Sequence, residues 1–494
     1  MKSAYFRELK RYTQSDIAEA FDLTADKTVD IIKKLKYYGV AKSVKVTTME
    51  KNLTELTNEK IVISDVDLNS TDFYYVFDFV GIITVGNYIF KCYPKYLSND
   101  SIPLNVLKQV LRVIRKYNSK EQVINLYNGE SEQCAFNLLA VILFLLNDYN
   151  ENGIYSNQQD IIEANGDGEI LWDRTIDETF AIISNNRPFY IELQTQNTVD
   201  DEMNYFRRLH QCVITECSNK LKSAELTALF DVSEINLYDG DLTEFGDTDY
   251  ILYRLQRELN VQFVTRKQVI LKTIYAYIAH RKAFEVGMGI SMYGTNSFNL
   301  IWERVCAEVF DNKLKVKLRK LQLPKPLGET YTKKANKLLL EIIDKPIWRF
   351  FSKDDSKEDN EVTDTLTPDI ISIYQKEDKL CFGTFDAKYY NIVLTEKYVA
   401  GNPGVGDVTK QYLYQLAYNQ FINEQGFDSV QNAFLMPTEE NKAVLNGEVE
   451  MSILQGLSNP PLQNILVVKL PATEMYQWYL NNTKVDIHKE YDFL

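Results

Sequence analysis

Residues 366–390 contain two short apolar runs around a polar centre. The first is Pro368-Asp369-Ile370-Ile371-Ser372-Ile373-Tyr374. The second is Leu380-Cys381-Phe382-Gly383-Thr384-Phe385-Asp386-Ala387-Lys388. β-Branched and aromatic residues dominate both, and the polar stretch Gln375–Lys379 separates them, so the segment predicts a tight β-hairpin. A turn centred between Glu377 and Asp378 pairs Asp369 with Asp386 across the two strands, at about 5 Å between Cβ atoms. Lys388, two residues past Asp386, projects from the same face. D-x-K alone is common on exposed strands that carry an ion pair; the hairpin register is what makes this one specific. Two facing carboxylates repel unless a cation lies between them. Mg²⁺ takes oxygen ligands and binds through one or two carboxylates, so Asp369, Asp386 and the Ala387 carbonyl are the expected metal ligands, with Mn²⁺ able to substitute. A metal there polarises a phosphoryl oxygen and activates water. A nearby ammonium offsets charge that develops on the phosphate. The constellation therefore points to phosphodiester hydrolysis.

The flanking sequence supports this reading. Asn299–Cys306 has the periodicity of an amphipathic helix and offers Glu303 as a further acid. Asp407–Phe421 predicts a second helix, with Gln411 and Gln415 one turn apart on one face. Val430–Met436 predicts another strand. Helix, strand, strand, helix, strand is the order of a PD-(D/E)xK nuclease core.

On these pieces the chain resembles the LlaJI-type restriction endonucleases, which look like the McrC nuclease subunit of McrBC systems. The matching stretches are FVGIITVGNYIFKCYPKY at 79–96, GTNSFNLIWERVC at 294–306, TPDI at 367–370, FDAKYY at 385–390 and YLYQLAY at 412–418. The resemblance implies Asp369, Asp386 and Lys388 as the catalytic trio, Glu303 as the helix acid and Gln415 as the polar residue of the following helix. It also implies a separate McrB-like AAA+ NTPase, driven by GTP or ATP, which moves or remodels DNA while this subunit cuts. An N-terminal winged helix departs from the McrC pattern.

The rest of the chain predicts a multidomain α+β fold. Residues 1–65 read as a winged helix-turn-helix. Thr13 caps a first helix with Asp16 as its partner, and Ile17, Ala20 and Phe21 form the buried stripe. Val29, Ile32 and Leu35 mark a second helix that stops at Gly39, Val40–Val46 suggests a strand, and Lys60–Ile63 its return. Residues 66–130 read as a β-rich segment with a hairpin turn at Val85-Gly86-Asn87. Residues 131–289 read as a mainly helical middle domain, and residues 290–494 as the nuclease domain. Phe351–Thr367 is polar and charge-dense and reads as a mobile loop.

Composition sets the remaining limits. The 494 residues are 45% hydrophobic and 25% charged, as in ordinary globular proteins. The longest apolar run, Ala135–Leu146, is too short to span a bilayer, and the N-terminus lacks the apolar stretch of a secretion signal. Six scattered cysteines without a C-x-x-C pair suit a reducing cytoplasm. His210, Cys212 and Cys217 lie near one another but lack a fourth ligand, and read as one face of a helix rather than as zinc ligands. The net charge of −14 argues against a surface coated for bulk nucleic-acid binding. A local path for double-stranded DNA remains. Between Lys313 and Lys337 lie nine basic residues and one acid, and Lys313, Lys315, Lys317, Arg319 and Lys320 are the candidate DNA contacts. The N-terminal fifty residues carry ten basic and seven acidic side chains. Asp26 and Asp30 open the would-be recognition helix, so that module suits protein contact as well as DNA contact.

No G-x-x-x-x-G-K-[ST] is present, and GNPGVGD at 401–407 lacks the lysine of a phosphate-binding loop. Any NTP-driven motor is then another chain. The competing expectation is a winged-helix regulator or adaptor with a degenerate nuclease fold.

Overall fold

The computed structural model describes residues 2–45, 73–98, 104–118, 138–156, 158–200, 203–285, 290–351, 357–361 and 364–494. They form a mixed α+β protein with several sheets, divided into two compact units. One comprises residues 1–2, 84–89 and 128–293; the other comprises residues 3–83, 90–127 and 294–494. Among the described residues, no helix is long and apolar enough to cross a membrane.

The first unit is built on four helices: Leu138–Asn152, Tyr205–Ser223, Thr248–Val261 and Thr265–Glu285. The apolar run near residue 140 is a buried helix, as its length predicts. Helices make up most of the described residues of the middle region, and short strands interrupt them. Strands Gln158–Ala164, Glu169–Ile170, Ala181–Ser184, Arg187–Tyr190 and Gln194–Asp200 intervene. All four side chains of Ala181–Ser184 are exposed, so no burial period marks this strand in the sequence.

In the second unit the N-terminal segment forms two short helices. Thr13 caps the helix Gln14–Phe21: its hydroxyl accepts from the Asp16 N–H at 3.1 Å while Asp16 accepts from the Thr13 N–H at 2.7 Å. The second helix, Ala25–Tyr37, is followed by Gly39 at φ +70°. Ile32 and Leu35 are buried as expected, with Thr28 and Ile31 beside them, while Val29 is half-buried. The Thr28 hydroxyl bonds the Thr24 carbonyl at 3.0 Å, which lets a polar residue take a core position. In the first helix Ala20 is exposed. The strand Ala41–Lys45 pairs antiparallel with Phe73–Phe77, which also pairs with Arg11–Tyr12. The return strand expected at Lys60–Ile63 lies outside the described residues. Gly86, at φ +55° between the strands Val80–Val85 and Tyr88–Tyr93, makes the expected hairpin turn, whose tip at residues 84–89 belongs to the first unit.

The C-terminal portion of this unit carries a five-stranded sheet. Its order is Ile370–Lys376, Lys379–Ala387, Ser429–Thr438, Ile465–Pro471, Val444–Val449. The first pair is antiparallel, the next two are parallel and the last is antiparallel. The helix Val405–Gln425 makes the crossover between the central parallel strands, and Phe298–Val309 precedes the sheet. One core packs Ile371, Phe382, Tyr418 and Phe421 with Leu314, Leu318 and Leu339. Another packs Tyr412, Phe434, Met436, Ile465 and Val467. Part of the polar segment expected to be a mobile loop is ordered: Lys357–Glu361 pairs with Ile347–Phe351. Backbone pairing at a two-stranded edge needs no apolar pattern, which is why composition hides it.

Candidate active site

The hairpin sets the geometry. Glu377 takes φ +55° in the two-residue turn, and the strands pair from Lys376 opposite Lys379 to Ile370 opposite Phe385. Asp369 and Asp386 are next in that register. The Ala387 N–H donates to the Asp369 carboxylate at 3.1 Å. Asn312 holds Asp369 from the other side. Its amide donates to the Asp369 carbonyl at 2.7 Å, and its side-chain oxygen accepts from the Ile371 and Leu314 N–H groups, both at 3.1 Å. No sequence signal marked Asn312.

Lys388 projects beside Asp386 as expected, with its ammonium 3.0 Å from that carboxylate. It also lies 3.1 Å from Asp407 in the first turn of the crossover helix. The backbone around it is pinned at three points. The Lys388 N–H donates to the Leu435 carbonyl at 2.9 Å. The Trp302 indole donates to the same carbonyl at 3.0 Å, tying the helix Phe298–Val309 to the end of the strand. The Tyr389 hydroxyl donates to the buried carboxylate of Glu8 at 2.5 Å.

This placement brings Glu303 to the acids. Its carboxyl is pushed up, first by burial and then by the charge of Asp386, with Lys388 opposing. Asp386, only 3% exposed, is pushed up to about 8. Burial is the largest cause and Asp369 the next, and together they outweigh Lys388. For Lys388 the same two carboxylates, Asp386 and Asp407, outweigh the opposing effect of burial and raise it. Tyr390 and Tyr414 also border the site. Burial raises both phenols, and Asp386 adds to each. Spacing did not single out either tyrosine.

Gln415 is not brought to Lys388. Its side-chain oxygen accepts from Asn432 at 3.1 Å and from the Gln463 N–H at 3.3 Å. Gln411, one turn earlier, donates to the Thr384 carbonyl at 3.0 Å and to Asn432 at 2.7 Å. Both glutamines face the sheet as the helical spacing predicts, but they bind the strands below the acids. The helix residue whose electrostatic partners include the acids is Tyr414.

A groove of about 650 Å³ opens from the site, lined by Glu303, Asn312, Pro368, Asp369, Lys315 and Lys484 among others. Of the basic candidates, Lys315, Lys317, Arg319 and Lys320 are exposed, while Lys313 is paired with Asp311. Buried Leu314 and Leu318 anchor this stretch in the core. Among the described residues, no cluster of three or more His, Cys, Asp or Glu is arranged to hold a metal. His210, Cys212 and Cys217 are buried on one helix; burial lowers the imidazole to about 4, and its Nδ1 accepts from the Tyr155 N–H at 3.0 Å.

The raised Asp386 has a consequence for stability. A carboxyl that binds its proton more tightly in the folded state favours folding at low pH. That advantage is lost as pH rises from the ordinary carboxyl range to about 8. In metal-free buffer, D386N should therefore be more heat-stable than the natural chain at pH 8, with the difference shrinking towards pH 5. Thermal unfolding of both proteins in EDTA measures it, and an equal difference at both pH values would remove the shift.

A family model of the LlaJI restriction endonucleases matches residues 79–472. The type II restriction enzyme BsuMI component YdjA of Bacillus subtilis (strain 168) is 26% identical over 415 residues, which is 82% of this chain and 81% of that protein. Two solved assemblies from Thermococcus gammatolerans also align. A chain of the assembly of McrB AAA+ hexamers with bound McrC does so at 14% identity and TM-score 0.34, over 97% of this chain and 99% of that one. A chain of the McrBC complex does so at 13% identity and TM-score 0.24, over 61% and 85%. At those scores neither carries an argument about this chain. The family match spans most of the sequence and includes every residue of the facing-carboxylate site, so this chain belongs to the LlaJI restriction endonuclease family and is a DNA endonuclease.

Proposed function

We propose that this chain is the nuclease subunit of an NTP-dependent restriction system, and that it hydrolyses phosphodiester bonds of foreign double-stranded DNA with Mg²⁺ in a bacterial cytoplasm. The observation that carries the reading is the facing pair Asp369 and Asp386 with Lys388 at 3.0 Å from Asp386. The donor set fits a hard divalent cation. It consists of oxygens alone, and burial and mutual repulsion hold a proton on Asp386 that a cation would displace. Asp369, Asp386 and the Ala387 carbonyl would hold Mg²⁺, or Mn²⁺ in its place. Bound there, it would supply Lewis-acid activation of the phosphoryl oxygen and of water. Lys388 offsets charge developing on the phosphate. Glu303, its carboxyl raised, supports the metal site from the helix and can hold a proton near the reacting groups. Gln415 acts through Asn432 by fixing the strand beneath the site. The N-terminal helices and their three-stranded sheet serve as a winged-helix module. With the acids and the lysine together, nothing favours a degenerate nuclease in a regulator.

D386N tests the chemistry. It removes one ligand charge and keeps the shape. Cleavage should fall by more than the roughly 10–100-fold that loss of a group hydrogen-bonded to a metal ligand costs. Mg²⁺ or Mn²⁺ should support cutting by the natural chain and EDTA should stop it. Full cleavage by folded D386N would end the assignment.

The exposed lysines Lys315, Lys317 and Lys320 are read as phosphate contacts that guide the duplex to the groove. On duplex DNA each neutralised phosphate adds about −0.9 to the slope of log affinity against log salt. Replacing all three with alanine should weaken binding and flatten that slope by up to about 2.7. An unchanged slope in a salt titration would mark the segment as a solvated face.

The chain lacks a phosphate-binding loop and carries a net charge of −14, so it captures DNA weakly and cannot power translocation itself. Its partner is then a separate McrB-like AAA+ NTPase. Purified alone it should cut little; with the product of a neighbouring AAA+ gene, GTP or ATP should switch cutting on. Robust specific cutting by the lone chain without nucleotide would refute the dependence and leave the catalytic assignment standing.

A further inference from the structure

The glycine-rich stretch Gly401–Asp407 has no part in the mechanism so far, yet it delivers a second carboxylate to Lys388. After the strand Lys379–Ala387 the chain makes a small hairpin, Val393–Leu394 against Val399–Ala400. It turns back at Gly401, which has φ +63°; a Cβ there would stand 2.5 Å from the Asn391 carbonyl oxygen, so only glycine fits. The turn leads into the helix Val405–Gln425, whose N-cap is Gly404. With no side chain at the cap, Asp407 supplies the negative charge that a helix N-terminus favours. Its carboxylate faces the Lys388 ammonium at 3.1 Å and lies near the Tyr390 phenol, which burial raises first and Asp407 next.

Lysine is a point charge on a flexible four-carbon stem, so its position depends on its partners. Lys388 has two carboxylate partners here, Asp386 and Asp407. Asp386 also interacts with Asp369 and, in the function proposed above, is committed to a cation. Asp407 is free of that duty. We infer that Asp407 is a positioning residue that holds the Lys388 ammonium over the reacting phosphate while Asp386 serves the metal. This inference rests on the proposed nuclease role of Asp386 and Lys388. It makes the Gly401 turn and the first turn of the crossover helix parts of one support for the lysine.

The test compares the full-length natural chain with D407N, D407S, D407E and D386N, in the assay in which the natural chain cuts. D407N should lose kcat on the order of 10–100-fold, the scale of outer-shell partners. Its KM for DNA and its half-saturating Mg²⁺ should not change. D407E keeps the charge on a longer stem and should recover part of the loss. A D407N protein with natural kcat would overturn the inference, as would a rise in KM at unchanged kcat, which would make Asp407 a DNA-binding group. If D407N does not fold, D407S decides: a kcat equal to that of the natural chain overturns the inference, and a reduced kcat at unchanged KM supports it. Loss in D386N with full activity in D407N refutes the positioning role alone. Full activity in D386N refutes the catalytic reading beneath it.

Discussion

The site depends on one strand register. The two-residue turn at Glu377-Asp378 sets Ile370 opposite Phe385, and Asp369 with Asp386 are the next positions along. A slip of one residue would send every side chain of the strand to the other face. Asp386 would enter the apolar core and Lys388 would leave the groove side. The apolar residues resist that slip. Ile371 and Phe382, on opposite strands, are fully buried in the core that also holds Tyr418 and Phe421. The core that stabilises the fold therefore also holds the carboxylates together, although they repel.

That repulsion is a standing cost. Burial raises Asp386 and Glu303; Asp369 adds to the rise of Asp386, and Asp386 adds to that of Glu303. Lys388 answers part of it, and Asp407 draws the same lysine from the other side. The surrounding structure offsets the strain with hydrogen bonds to the backbone near the acids. Asn312 bonds three backbone groups, and Trp302 and the Lys388 N–H share the Leu435 carbonyl. Buried polar groups with their partners made rigidify a site, and rigidity lets like charges stay close.

Distant segments supply much of this support. Glu8 receives the Tyr389 hydroxyl across 381 positions of sequence, and its carboxylate also accepts from the Lys95 N–H. The basic stretch after Val309 lies beside the acids because Leu314 and Leu318 enter the same core as the hairpin. Lys315, Lys317 and Lys320 are exposed, while the leucines decide where they are.

Local pattern was enough for what has a local period. The strand compositions around Glu377 predicted the hairpin and its register; the 3.6-residue spacing predicted the helices that carry Glu303 and the two glutamines; Thr13 and Asp16 predicted a cap that forms as drawn. Those features follow from side-chain alternation, helical repeat and hydrogen bonds three residues apart, all of which a sequence displays. Tertiary packing decided the rest. Gln415 lies on the predicted face, but the packing of its helix on the sheet sets it against Asn432 instead of Lys388. Asn312, Asp407, Tyr390 and Glu8 reach the site through contacts between separate elements, and no periodicity records such a contact. The exposed strands Ala181–Ser184 and Arg187–Tyr190 left no trace either, because hydrophobic patterning reports burial and these two bury little.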